Sequence, residues 1–249
     1  MNKILVVGIL FIIIIFGWLV WPVSAVPILA YHQVGDIDDI YSITARQFEE
    51  QMAYLAKNGY QAISLEDLFK FYDGQGKLPA KPVIITFDDG YADNYLTALP
   101  ILEKYNMSAT VFIVPNLIAT EDYLSWQQVM EMQQRHIEIG SHTMSHIAMD
   151  EISEEQQRQE ARESKTVLEQ HIGKPVRFFA YPYGGFTAAT ERILKETGYR
   201  GACTGVTGLN DQRTDAFALK RINVPQPKYG MWEFRLRLFR ANLYSKLGL

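Results

Sequence analysis

Two adjacent carboxylates, Asp88 and Asp89, close an apolar run, and their position makes them candidates for chemistry. Residues 83–90 read Val-Ile-Ile-Thr-Phe-Asp-Asp-Gly, introduced by Pro82 and rich in β-branching. Such a stretch has the length and composition of an interior strand rather than a helix. In α/β sheets and barrels the ligand lies beyond the carboxyl ends of the strands, which is where the pair falls. Like charges so close raise one pKa or call for a cation beside them, so the pair points to metal binding or proton transfer. A strand-ending Asp-Gly turn with a solvated neighbour is the plainer alternative.

The second chemical stretch is His142-Thr-Met-Ser-His146. Two imidazoles four apart lie on one face of a helical turn, a spacing that lets both nitrogens reach one cation at ~2.0–2.1 Å. They follow a strand-like segment, 137–141, and so emerge at the same rim as Asp88 and Asp89. One carboxylate with two histidines is a catalytic zinc arrangement with open positions. Two loop histidines without a ligand are the structural alternative. Cys203 sits in a strand-like pattern and reads as a small core residue.

Alternating strands and helices must position these groups. Strand patterns fall at 26–31 (ending Tyr31-His32), 60–64, 83–87, 108–114, 137–140, 177–181, 199–204 and 219–224. Helical patterns fall at 45–58, with Thr44 as N-cap and Gln47 in the capping-box position, at 65–72, at 91–105 despite Pro100, at 125–134 and at 153–171. This succession of βα units predicts a mainly parallel α/β sheet or barrel, open or closed.

With 48% hydrophobic and 21% charged residues, the 249-residue chain has an ordinary core composition, which excludes a disordered chain. A net charge of -4 with no basic stripe weakens any nucleic-acid reading. A lone cysteine rules out an internal disulfide. Residues 4–21 form an almost unbroken apolar run of about 18 residues, long enough to approach the ~30 Å hydrocarbon core. Residues 1–25 therefore read as a signal anchor in preference to a cleaved signal peptide, for which Val23-Ser24-Ala25 supplies a small-residue pattern. Either reading exports a single domain, 26–249, to the cell surface, membrane-anchored or secreted.

Thr86-Phe-Asp-Asp-Gly90, Ser141-His-Thr-Met-Ser-His146 and Tyr181-Pro-Tyr-Gly184, in this order over about 100 residues, resemble the first three motifs of the polysaccharide deacetylase family. This is the NodB-homology domain of carbohydrate esterase family 4. The resemblance implies a distorted (β/α) barrel and metal-dependent removal of acetyl groups from N-acetylglucosamine or related sugars. By position, Asp88 resembles the general base, and Asp89, His142 and His146 the metal ligands. The cation is zinc by ligand type, with cobalt or nickel as alternatives. The Tyr181, Pro182, Tyr183 and Gly184 stretch resembles the substrate-binding motif, in which the Tyr183 N–H helps to polarise the acetyl carbonyl. The implied partner is an acetylated polysaccharide, with the membrane reached through the N-terminal segment.

Two departures matter. Ala180 stands where most members carry the arginine that pairs with the catalytic aspartate; Arg177 and Arg221 are candidate replacements, although nothing in the sequence places either beside Asp88. No histidine follows His171, so the usual C-terminal acid motif is missing. His32 is the candidate acid. The Tyr31-His-Gln-Val34 pattern resembles the subgroup that deacetylates poly-β-1,6-N-acetylglucosamine, in which the motif order is circularly permuted and the acid moves to the N-terminal strand. A barrel permits that exchange, because its first and last strands become neighbours. Peptidoglycan- or chitin-type deacetylation, glycan O-acetyl esterase activity and a non-catalytic carbohydrate-binding relative are the competing readings. Tyr91, Trp126 and Tyr181 are candidate sugar-stacking walls, against the commoner core role. The tail 229–249 alternates arginine with apolar residues and reads as packing on the domain in preference to resting on a membrane.

Overall fold

Period-two alternation along the aspartate strand decides which side chains face which layer. In the computed structural model, which describes residues 25–37 and 39–247, β5 (Pro82–Phe87) is the most central strand. Val83, Ile85 and Phe87 join one apolar cluster, while Ile84 joins another on the opposite face. Thr86 and Asp88 share the parity of Ile84, so the strand delivers Asp88 to the inner face.

The other strands are β1 (Ile28–Tyr31), β2 (Gln33–Val34), β3 (Ser42–Ile43), β4 (Gln61–Ala62), β6 (Ala109–Ile113), β7 (Ile137–Ser141), β8 (Phe178–Ala180), β9 (Gly201–Cys203) and β10 (Ile222–Asn223). Eight of them form one all-parallel sheet in the order β10-β1-β5-β6-β7-β8-β9, with β4 paired to the start of β5. The strands β2 and β3 pair separately. Edges β9 and β10 approach one another, and Leu219, three residues before β10, makes a parallel bridge to Cys203. The Thr204 N–H donates to the Leu219 carbonyl at 2.9 Å. The parallel sheet therefore curves into a half-barrel, in keeping with the expected distorted α/β barrel, its two edges linked by short contacts of this kind.

Helices α1 (Ala45–Lys57), α3 (Leu99–Lys104), α4 (Trp126–Gln134), α5 (Glu154–Ile172), α6 (Ala188–Thr197) and α7 (Met231–Leu247) cover the outside, and α2 (Leu65–Tyr72) contributes Leu65, Leu68 and Phe69 to the inner cluster. Glu138 of β7 accepts from the Leu65 and Glu66 N–H groups at 3.0 and 3.1 Å and so holds the N-terminus of α2. The expected capping box is present at Thr44 with Gln47, a second forms at Ser153 with Gln156, and α5 ends on Gly173 with φ +66°. The expected helix over 91–105 is divided. A π-turn, Asn94–Ala98, leads into α3, and Pro100 occupies its first turn, where a missing N–H costs nothing.

The predicted N-terminal anchor or signal lies outside the described residues. Among the described residues, no helix is long and apolar enough to cross a membrane. The C-terminal tail forms α7, which packs on the domain through Phe234 and Ala241.

Candidate active site

Asp88, Asp89, His32, His142, His146 and Tyr183 come from four different strand ends and meet at the C-terminal rim of the sheet. Asp88 continues β5, its N–H donating to the Tyr31 carbonyl at 2.9 Å. The next residue breaks the alternation. Asp89 adopts φ +75°, a left-handed conformation costing about 1–2 kcal/mol, and turns its carboxylate toward the histidines instead of out under the helices.

His142 ends β7 and is buried, and its Nδ1 donates to the Ala180 carbonyl at 2.7 Å. Burial pushes its imidazole below the ordinary pKa, which favours the neutral ring that ligates cations. With Nδ1 engaged, Nε2 is left facing Asp89. Asp89 Oδ1 lies 3.4 Å from His142 Nε2 and 3.1 Å from His146 Nε2. That oxygen is buried and has no hydrogen-bond partner, a costly condition that a cation relieves. One donor atom from each of Asp89, His142 and His146 lies within 4.8 Å of the others, so the three fit one divalent cation.

The helical turn expected for the two histidines is not formed. His142 closes a strand, and Thr143 and His146 take φ +62° and +59°, so an irregular turn brings the rings to a centroid distance of 5.0 Å. Glu160 of α5 holds this turn by accepting from the Met144 and Ser145 N–H groups at 2.8 and 3.0 Å. Nothing in the local sequence pointed to Glu160.

The partner for Asp88 is Arg221. Its guanidinium is buried and forks onto the carboxylate with bonds of 2.7 and 2.8 Å, while its Nε donates to the Thr204 carbonyl at 3.0 Å. Arg177 instead pairs with Glu66 on the surface at 2.7 Å. Burial by itself raises the Asp88 pKa, but Arg221 and His142 overcome it and hold the carboxyl well below the ordinary range. A group depressed in this way stabilises the fold above its unfolded value of ~3.9, and that contribution is lost as pH falls toward the folded value. Arg221→Met is therefore expected to destabilise the protein by about 3–5 kcal/mol near neutral pH, because it strands a buried charge. The loss is expected to shrink on acidification as Asp88 takes up a proton. Denaturant midpoints measured on both sides of pH ~4 check this, and a pH-independent loss would show that packing, not charge, is at stake.

His32 follows β1, the strand between the one that carries Asp88 and the one that follows Arg221. Its Nε2 lies 4.0 Å from Asp88 Oδ2, and its ring tilts against Tyr41 at a centroid distance of 4.9 Å. Two residues that the sequence reading passed over hold this segment. Asn94 Nδ2 donates to the His32 carbonyl at 2.8 Å, and Asp93 Oδ2 accepts from the Val34 N–H at 3.0 Å.

The Tyr181–Gly184 stretch divides its labour. Tyr183, with φ +59° and 79% exposed, has its ring centroid 5.0 Å from that of His146. Gly184 lies so close to Gly205 that an added Cβ would meet its nitrogen at 2.7 Å. Tyr181 is corrected as a sugar-stacking wall. It is buried, stacked on Phe186, and its hydroxyl donates to the Phe217 carbonyl at 3.0 Å. Pro182 is buried beside it. Trp126 stacks on His171 between helices α4 and α5, while Tyr91 stacks on Tyr123 near Asp89. Cys203 lies in the inner cluster, where burial pushes its thiol up to about 12, and it has no nucleophilic character at neutral pH.

An Arg-paired carboxylate beside a three-donor cation site, at the rim of a parallel sheet, is the equipment of a hydrolase that activates water. Residues 75–202 match the family model for polysaccharide deacetylase, and the chain belongs to that family. YxkH of Bacillus subtilis, provisionally named for the same activity, is 33% identical over 201 residues, 81% of this chain and 72% of that one. The poly-beta-1,6-N-acetyl-D-glucosamine N-deacetylase of Staphylococcus aureus (strain MRSA252) is 29% identical over 174 residues, 64% of this chain and 60% of that protein. The Streptococcus pyogenes deacetylase PplD, solved in complex with acetate, superposes with a TM-score of 0.80 at 25% identity, covering 89% of this chain and 99% of that one. The enzyme is accordingly a hydrolase of amide bonds in acetylated polysaccharide.

Proposed function

We propose that the protein removes acetyl groups from the N-acetylglucosamine units of poly-β-1,6-N-acetylglucosamine at the cell surface, with residues 26–249 as the catalytic domain. The observation that carries this reading is His32, which directly follows the N-terminal strand, 4.0 Å from Asp88, and supplies an acid where the chain has no histidine after His171. The likeness to the Staphylococcus aureus deacetylase of that polymer supports the substrate. The apolar run 4–21 supports export and attachment to the membrane.

In this reading Asp89, His142 and His146 would hold a divalent cation, zinc by its donors, and that group would supply Lewis-acid polarisation and a lowered pKa for water. Asp88, kept ionised by Arg221, accepts the proton of the attacking water. The Tyr183 N–H donates to the developing oxyanion of the acetyl group. His32 gives a proton to the departing amine, so acetate leaves and glucosamine remains.

Incubation with poly-β-1,6-N-acetylglucosamine, chitin oligomers, peptidoglycan and O-acetylated xylan, with free amine and acetate both measured, tests the substrate. Amine release from the first polymer well above the rest is the expected result, and acetate without amine would make the enzyme an esterase.

His32→Ala is expected to lose about 10²–10⁴-fold on the N-acetyl polymer, the range for a missing general acid, and far less on an activated acetyl ester whose leaving group needs no proton. Equal rates of the variant and the parent on both substrates would move the acid elsewhere.

A further inference from the structure

Helix α7 carries apolar side chains on two opposite faces. Phe234, Leu238 and Ala241 face the domain, where Phe234 meets Tyr54 of α1 edge-on with ring centroids 6.1 Å apart. On the other side Trp232, Leu236, Phe239 and Leu243 recur at i, i+4, i+7 and i+11, the spacing of a continuous stripe. Trp232 is 63% and Phe239 43% exposed. A helix on the outside of a globular domain ordinarily turns charged and polar residues outward.

Cations border this stripe. Arg235 and Lys246 lie along one side of it and Arg240 along the other, and the helix has four basic residues against the single acid Glu233. It is a cationic element in a chain of net charge -4. Basic residues flanking exposed Trp232 and Phe239, with half-buried Leu236 and Leu243 between them on one helix face, match the interface of a bilayer, where aromatic and aliphatic groups enter the acyl boundary and cations meet lipid phosphates.

The course of α7 agrees with this. It begins after the rim loop in which the Gln226 N–H donates to the Ile40 carbonyl at 2.8 Å. Further along, Leu238 and Asn242 line a small cavity together with Ala25 and Pro82, at the amino ends of β1 and β5. Ala25 is also where the apolar run 4–21 joins the domain. The helix therefore passes from the catalytic rim to the chain's point of departure toward that run.

We propose that the Trp232, Leu236, Phe239 and Leu243 face of α7 docks on an anionic lipid bilayer, so that the barrel lies on its side and the catalytic rim opens along the membrane surface. A second copy of the chain is a poorer occupant, because it would set arginine against arginine. The segment 1–24 is poorer too, since it holds no acidic residue to answer the cations.

The test uses the full chain with a nitroxide label on Leu236→Cys or Leu243→Cys, and on Glu163→Cys of α5 as control. Cys203 is buried and stays unlabelled. In vesicles of phosphatidylcholine with phosphatidylglycerol, the α7 labels should gain accessibility to oxygen and lose it to chromium oxalate, with the control unchanged. The double change Arg235→Gln with Arg240→Gln should weaken this docking about 30-fold, from about 1 kcal/mol per basic residue at an anionic surface. Labels that remain open to chromium oxalate in anionic vesicles would overturn the proposal. So would spin–spin broadening without lipid, which places a second copy there, or shielding indifferent to lipid charge and to the arginines, which places the chain's own apolar segment there.

Discussion

His142→Ala is expected to abolish turnover and to lower bound divalent metal by more than about 100-fold, the upper range for loss of a mere supporting contact, while the fold persists. The imidazole is buried, its Nδ1 is fixed by the Ala180 carbonyl, and its Nε2 is one of the three donor atoms, with those of Asp89 and His146, that cluster there among the described residues. Two donors cannot fix a cation in a tetrahedral site with an open position. The parent protein should also unfold at lower temperature after chelation, because a cation at 100 times its Kd adds about 2.7 kcal/mol of stability. In the variant that chelator effect should vanish. Metal content by elemental analysis, thermal unfolding with and without chelator, and amine release give three independent readings. Unchanged metal content in the variant would place the cation elsewhere.

Asp88→Asn is expected to retain metal and to lose about 10²–10⁴-fold in turnover, because the amide cannot accept the proton of water. The separation of roles follows from geometry. Asp88 spends both oxygens on the Arg221 fork, whereas Asp89 leaves Oδ1 unpartnered between the two imidazoles. The substitution also leaves a buried guanidinium short of its counter-charge, so lower stability should accompany the loss of rate. Measurements well below the melting temperature separate the two effects. A variant that loses metal as well would make Asp88 a ligand. In the parent, the Asp88 pKa held low by Arg221 places the acidic limb of activity below the usual carboxylate range. Arg221→Met should move that limb upward, since burial then acts unopposed.

The sequence by itself determined the local features. Alternation along residues 83–88 set Asp88 inward, capping residues placed the starts of α1 and α5, and the residue types Asp89, His142 and His146 marked a candidate cation site. These are legible because period, caps and donor chemistry depend on neighbours a few residues apart. Tertiary structure decided the partners. Arg221 reaches Asp88 from 133 positions away because the sheet order sets β10 next to β1 and β1 next to β5, with His32 at the end of the strand between. Glu160 came to the histidine turn, and Asn94 to His32, by the same folding of distant segments together. Tyr181 went to the core, not to the rim, because its hydroxyl found the Phe217 carbonyl there. Which charge answers which, and which aromatic ring is buried, depends on strand order and closure, and those follow from the packing of the whole chain.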